Sequence, residues 1–215
     1  MRKNYHKIET LFNRDEQTKK LIPNSYRNEI VEFLKDNQWE FTEKIDGTNI
    51  IIFWDGHRVE FGGRTEKAQI PNHLLERLTE LFGGEVNEEM FEQKFGETEV
   101  TLYGEGFGNK IQTNGYIDGV DFILFDVLIG DNFQPRESVE DIAKYFNVRI
   151  APIVLSGTLN DAIKYVKTNP DSVISEIGCK MEGVVGRPKI ELNDRNHNRV
   201  IVKVKYSDFK DFKGV

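Results

Sequence analysis

Apolar and polar positions alternate with a strand-like period through the middle of the chain. The alternation predicts strands at Trp39 to Lys44, Asn49 to Trp54 and Arg58 to Phe61, the last two joined by Asp55-Gly56-His57 as a hairpin. Between Asn24 and Asn37, Ile30, Val31, Phe33 and Leu34 follow an Asn/Ser start and predict a short helix. After Pro71, the spacing of Leu74, Leu75, Leu78, Leu81 and Phe82 predicts a helix that stops at Gly83-Gly84. Asn87 is expected to cap an acidic helix carrying Met90, Phe91 and Phe95. These two helices are expected to cover one edge of a sheet. Thr98 to Glu105 reads as a strand followed by a glycine loop at Gly104, Gly106 and Gly108, which lacks the spacing and the following helix of a dinucleotide fingerprint.

Phe122 to Ile129 is so continuously apolar that both faces of a strand there are expected to be buried. Beyond it the pattern predicts a helix capped by Ser138 and running to Phe146, a strand from Arg149 to Leu155 and a helix from Thr158 to Lys167. A turn or short helix is expected at Ser172 to Gly178, then strands at Met181 to Gly186 and Val200 to Tyr206. The sum is an α+β fold of twisted antiparallel sheets with peripheral helices. No Pro/Gly/Ser-rich linker interrupts it, so residues 1–215 are expected to form a single domain.

Composition narrows the class without naming a chemistry. With 38% hydrophobic and 30% charged residues the 215-residue chain is neither disordered nor fibrous in character. No apolar run approaches a membrane span and no signal core follows the charged N-terminus, so a cytoplasmic protein with no membrane partner is expected. Cys179 is the single cysteine, which fits a reducing compartment and is expected to be a small buried hydrophobe. The net charge of -7 is segregated. Residues 76–99 carry eight acidic groups against Arg77 and Lys94, whereas residues 186–215 carry eight basic groups against Glu191, Asp194, Asp208 and Asp211. A basic face for nucleic acid therefore remains open. His6, His57, His73 and His197 have no metal-ligand spacing.

The stretch with candidate chemistry is Glu43-Lys44-Ile45-Asp46-Gly47-Thr48-Asn49. A lysine amine attacks phosphorus only when neutral, which requires desolvation or neighbouring cations. Trp39, Phe41 and Ile45 offer the first, while Lys203 and Lys205 alternate with Val202 and Val204, so both amines are expected on one strand face. Gly47 would let the backbone turn sharply and a ligand come close.

In order, Lys44-Ile45-Asp46-Gly47, Arg64, Glu105 in Tyr103-Gly104-Glu105-Gly106, Phe125-Asp126, Glu182-Gly183 and Lys203-Val204-Lys205 resemble motifs I, Ia, III, IIIa, IV and V of the covalent nucleotidyltransferases. That superfamily comprises the ATP-dependent polynucleotide ligases and the capping enzymes. Asn4-Tyr5-His6-Lys7-Ile8-Glu9 is similar to the N-terminal block of the phage-type, nick-sealing RNA ligases. The resemblance implies an ATP-grasp-like ligase adenylation domain that places AMP covalently on Lys44. The AMP would then pass to a 5′-phosphate end, which is joined to a 3′-hydroxyl.

It further implies roles for individual residues. Lys44 would be the nucleophile, and Lys203 and Lys205 would bind the α-phosphate and lower the proton affinity of Lys44. Arg64 would grip a phosphate or terminal sugar, Glu43 would contact adenine, and Asn49 would lie near the nucleotide phosphate. Glu105 would meet the ribose or a metal water, Phe125 would stack on adenine, and Glu182, with Glu105, would hold Mg²⁺ or Mn²⁺. Asp46 is expected to assist the motif I loop, where some RNA ligases of this branch carry histidine. Expected partners are RNA ends, foremost nicked duplex RNA, with DNA-containing strands also considered; the protein would act as a monomer, in a host cytoplasm if phage-encoded. Arg195 and Arg199 are candidate strand contacts. Only ten residues follow Lys205, so no C-terminal OB-fold or other appended domain is expected. A GTP-dependent capping-type guanylyltransferase and an inactive RNA-end binding module are the alternative readings.

Overall fold

The alternation at residues 39–54 forms two consecutive strands that enter different sheets. The computed structural model describes residues 3–65, 67–113, 115–195 and 198–211. In chain order, β1 (Glu9–Thr10), β2 (Phe12–Arg14) and β3 (Leu21–Tyr26) precede α1 (Glu29–Phe33), and β4 spans Trp39–Lys44. The helix expected from Asn24 is thus confined to five residues, because residues 21–26 pair with β2 instead. Asn28 supplies the cap, its side chain accepting from the Ile30 and Val31 amides at 2.8 and 3.3 Å.

β5 (Thr48–Trp54) and β6 (Val59–Gly63) form the expected hairpin, whose turn is held by Asp55 accepting from the amides of His57 and Arg58. α2 (Asn72–Phe82) follows Pro71, and α3 (Glu85–Phe95) begins at Gly84 rather than at Asn87. The Asn87 amide instead donates to the Glu80 and Gly83 carbonyls, satisfying the open end of the preceding helix. β7 (Val100–Gly108) continues through the glycines expected to form a loop, because it is paired on both sides. A methyl group on Gly104 would overlap the Phe122 ring, and one on Gly106 would overlap Leu74, so these glycines admit close packing within a strand.

β8 (Val120–Ile129) and β9 (Asn132–Phe133) lead to α4 (Arg136–Tyr145), which starts after Pro135 rather than at Ser138. The strand expected from Arg149 to Leu155 is two strands, β10 (Arg149–Ile150) and β11 (Ile153–Gly157), in separate sheets. α5 (Leu159–Lys167) carries a reciprocal cap between Thr158 and Asp161. Residues 172–178 form bends without a helix, flanked by the Asp171 to Lys180 bridge. Cys179 in that segment is half-buried, not fully buried. β12 (Gly183–Pro188), β13 (Val202–Lys205) and α6 (Tyr206–Phe209) complete the described elements.

These elements divide into two compact units, Met1–His6 with Asp46–Ala151 and Lys7–Ile45 with Pro152–Val215. In the first, the sheet order is β10-β8-β7-β5-β6, with β9 beside β8. Its core sets Ile50, Ile52, Leu102 and Leu124 against Leu74, Leu78 and Phe91 of α2 and α3, which therefore cover a sheet face and not an edge. In the second, the order is β1-β13-β12-β4-β11, and Trp39, Phe41, Val184 and Val204 pack against Leu159, Ile163 and Val166 of α5. The sheets are antiparallel except for the β1–β13 and β10–β8 pairs.

Candidate active site

In the second unit, strand register fixes the position of Lys44. Lys44 ends β4 opposite Gly183 of β12, and Gly183 lies opposite Lys205 of β13; Lys203 lies opposite Val185. Alternation sends Val202 and Val204 into the core and leaves Lys203 and Lys205 half-buried on the other face. Glu182, one residue before β12, spans the two ends of this row. Its Oε2 lies 2.5 Å from Lys44 Nζ and its Oε1 lies 2.5 Å from Lys205 Nζ. The bridging carboxylate offsets the repulsion between two ammonium groups held by neighbouring strands.

Lys203 is the cation that carries the electrostatic cost. Burial, with Lys44, Lys205 and Lys7 close by, holds its ammonium below the ordinary lysine range, and Glu9 opposes the shift only in part. Lys7 therefore belongs to the same positive cluster, which the sequence reading did not assign. No periodicity could have shown it, because its proximity follows from β1 lying parallel to β13.

Glu43 lies on the opposite face of β4 from Lys44. Trp39, Phe41 and Glu43 form the buried face of that strand, and Glu43 is only 2% exposed. Its carboxylate accepts from Ser172 Oγ at 2.5 Å and from the Val173 amide at 2.9 Å. Burial pushes its pKa up, against the pull of those donors and of the Ile174 amide. Adjacency in sequence to Lys44 thus becomes separation across a strand, with Glu43 tying down the 172–174 segment.

In the first unit, Asn49 of β5 lies opposite Glu105 of β7, which lies opposite Ile123 of β8. Both polar residues occupy the sheet face away from Ile50, Ile52 and Leu102. Asn49 Oδ1 is buried without a hydrogen-bond partner among the described residues, an uncommon condition that suits a ligand donor. A register shift opposite Tyr103 and Gly104 lets the consecutive residues Phe125 and Asp126 both meet Tyr5. The Phe125 ring lies edge-on to Tyr5 at 5.1 Å, and the Tyr5 hydroxyl donates to Asp126 Oδ2 at 2.8 Å. Arg64 is exposed directly after β6. The Asp46 amide donates to the Tyr116 hydroxyl at 2.9 Å.

Among the described residues, no group of three or more His, Cys, Asp or Glu side chains could hold a metal ion. The Asn193 to Arg199 segment is changed by its contacts. Arg199 is paired with Glu191 and its side chain is 8% exposed, leaving Arg195 as the exposed arginine, while Asn196 and His197 lie outside the described residues. No described helix is long and apolar enough to cross a membrane.

Sixty-two chains of solved structures match this fold. A lysine-to-alanine variant of the Naegleria gruberi RNA ligase with ATP and Mn matches with a TM-score of 0.65 and 19% identity, over 95% of this chain and 61% of that one. A lysine-to-methionine variant with AMP and Mn gives 0.62 and 20%, over 97% and 62%, and the same ligase with PPi gives 0.61 and 21%, over 93% and 59%. The chain thus spans about three fifths of the length of these ligases. No curated protein matches it. Residues 37–205, from just before β4 to the last residue of β13, match the RNA ligase family, and the chain belongs to that family.

Proposed function

We propose that this chain is an ATP-dependent RNA ligase that forms a lysyl-AMP intermediate on Lys44. The observation that carries the reading is the Glu182 carboxylate held between Lys44 and Lys205, with Lys203 alongside. A bare row of lysines binds anions; a carboxylate 2.5 Å from one amine also offers an acceptor for its proton.

The chemistry follows from that arrangement. Lys44 loses a proton toward Glu182, and the nitrogen lone pair forms a bond to the α-phosphorus of ATP. The bond from that phosphorus to the bridging oxygen breaks, and its electron pair leaves with pyrophosphate. Lys203 and Lys205 neutralise the charge gathering on the phosphate oxygens. AMP then passes to a 5′-phosphate end, and a 3′-hydroxyl displaces it to form the phosphodiester. Asn49, Arg64, Glu105 and Phe125 are assigned to phosphate, sugar and base contacts, and Glu43 to fixing the segment at Ser172.

ATP, AMP, pyrophosphate and manganese accompany the Naegleria ligase in its structures, which supports ATP and a divalent ion here. Magnesium or manganese would be held by Glu182 or Glu105. One carboxylate suffices when phosphate and water oxygens complete the shell of a hard cation, so the residues present fit. The bound ion would supply charge neutralisation at the phosphates. The proposed substrate is nicked duplex RNA, joined in the cytoplasm by a monomer.

Intact mass after incubation with Mg²⁺ and ATP or GTP tests the assignment. An AMP adduct is expected on wild type and none on Lys44→Ala. A GMP adduct would move the protein to the capping class, and no adduct with either nucleotide would remove the enzymatic reading. Sealing of nicked RNA compared with nicked DNA then tests the substrate.

A further inference from the structure

Arg14, at the end of β2, and Asp208, in α6, come from opposite ends of the chain and meet within the second unit, the one that carries Lys44. Arg14 Nη2 lies 2.7 Å from Asp208 Oδ1. The guanidinium is held by its own hairpin as it reaches the carboxylate, because its Nη1 donates to the Lys19 carbonyl at 2.9 Å. Asp15 closes that hairpin by accepting from the Thr18 amide at 2.7 Å. Two residues before Arg14 and one after Asp208, the buried rings of Phe12 and Phe209 lie 5.9 Å apart. The β2–β3 hairpin thus grips α6 through a ring contact and an ion pair.

What α6 adjoins gives the grip a consequence. Lys205 ends β13 and Tyr206 begins α6. The Tyr206 amide donates at 2.9 Å to the carbonyl of Glu182, the residue whose carboxylate bridges Lys44 and Lys205. Upstream of Arg14, Thr10 of β1 lies opposite Lys203. One segment, residues 9–14, therefore runs beside the strand bearing Lys203 and then holds the helix that follows Lys205. The ion pair is a costly way to hold it. The Asp208 side chain is 10% exposed, and its Oδ2 is buried without a hydrogen-bond partner among the described residues. A carboxylate so placed costs stability that apolar side chains of similar size would not. In return a charged fork fixes one orientation, where two packed rings alone would tolerate sliding.

We infer that Arg14 and Asp208 are positioning residues for nucleotidyl transfer. By fixing α6 they fix the backbone of Lys205 and the Glu182 carbonyl bonded to Tyr206, and so keep the Glu182 carboxylate between the two amines. The inference rests on the adenylyltransferase reading and adds two residues to it. Both act through α6 and not on the reacting atoms, so their loss should slow the attack and leave nucleotide affinity unchanged.

Combining Arg14→Met with Asp208→Leu in the full chain replaces the pair by apolar side chains and separates stability from chemistry. The melting temperature should stay at or above that of wild type. Hydrogen exchange at the Tyr206 amide should nevertheless be faster, a readout that needs no nucleotide. Single-turnover formation of the Lys44 adduct should have a maximal rate lowered about five- to tenfold, the equivalent of one ordinary hydrogen bond, with the half-saturating ATP concentration unchanged. Asp208→Asn, which keeps the shape and removes the charge, should slow the attack in the same way at temperatures where it is folded, so the test survives if the apolar pair does not fold. Thr158→Ala, which weakens α5 in the same unit, is the control: it should lower the melting temperature and leave the maximal rate at its wild-type value. A wild-type maximal rate in either folded variant, unchanged exchange at Tyr206, or a raised half-saturating ATP concentration alone would overturn the inference while leaving the adenylyltransferase reading intact. No adduct on wild type would overturn both together.

Discussion

At the scale of single residues, the charge cluster sets stability against chemistry. Lys203 has a lowered proton affinity in the folded protein, so between that lowered pKa and the ordinary lysine value the unfolded chain binds more protons. Its cost to the fold is full below the lowered pKa and is relieved as pH rises through that window. Lys203→Met should therefore raise the melting temperature near neutrality while abolishing the AMP adduct; a lower melting temperature would show that the ammonium is not under strain. Glu43 has the opposite sign. Its carboxyl has a raised pKa, so the folded state binds more protons, and its contribution to stability falls as pH rises from the usual glutamate range through the folded pKa. Glu43→Gln should flatten that stretch of a melting-temperature profile, and an unchanged slope would refute the assignment. Glu182→Gln should abolish the adduct and cost about 1–2 kcal/mol in denaturant titration. That is less than for a sealed ion pair, because the Glu182 side chain is 16% exposed and its partners more so.

At the scale of elements, legibility depended on whether local pattern or partner strands decided the outcome. β4 and α2 run as the alternation and the leucine spacing predict, since each buries one face against a core and shows the other to a different environment. The Gly104 to Gly108 stretch was misread for a physical reason. Glycine marks a loop when it supplies backbone freedom, but here it supplies space for Phe122 and Leu74, which no local window contains. Gly104→Ala should accordingly cost about 1–3 kcal/mol through overpacking, as measured by chemical denaturation. Thr158→Ala, which removes the reciprocal cap of α5, should cost about 1 kcal/mol in the same measurement. Pro152 separates β10 from β11, a division hidden by the apolar run that joins them in sequence.

At the scale of the whole molecule, net charge is a poor guide to partner. The chain carries -7, yet Lys7, Lys44, Lys203 and Lys205 gather around one sheet. Binding of nicked RNA should weaken as salt rises, and Arg64→Ala should reduce the slope of log affinity against log salt by about one if Arg64 neutralises a phosphate. An unaltered slope would remove it from the strand. The sequence by itself determined the fold class, the family resemblance and the order of the chemical groups, because alternation and motif spacing are written locally. Tertiary structure alone decided which of those groups meet. Strand register joined Lys44 to Lys205 through Glu182 across more than a hundred residues, and strand alternation turned Glu43 away from its neighbour. A buried tyrosine from a distant connection came to hold the Asp46 peptide. Such encounters are properties of paired strands and packed cores, which arise only when remote segments compete for the same space.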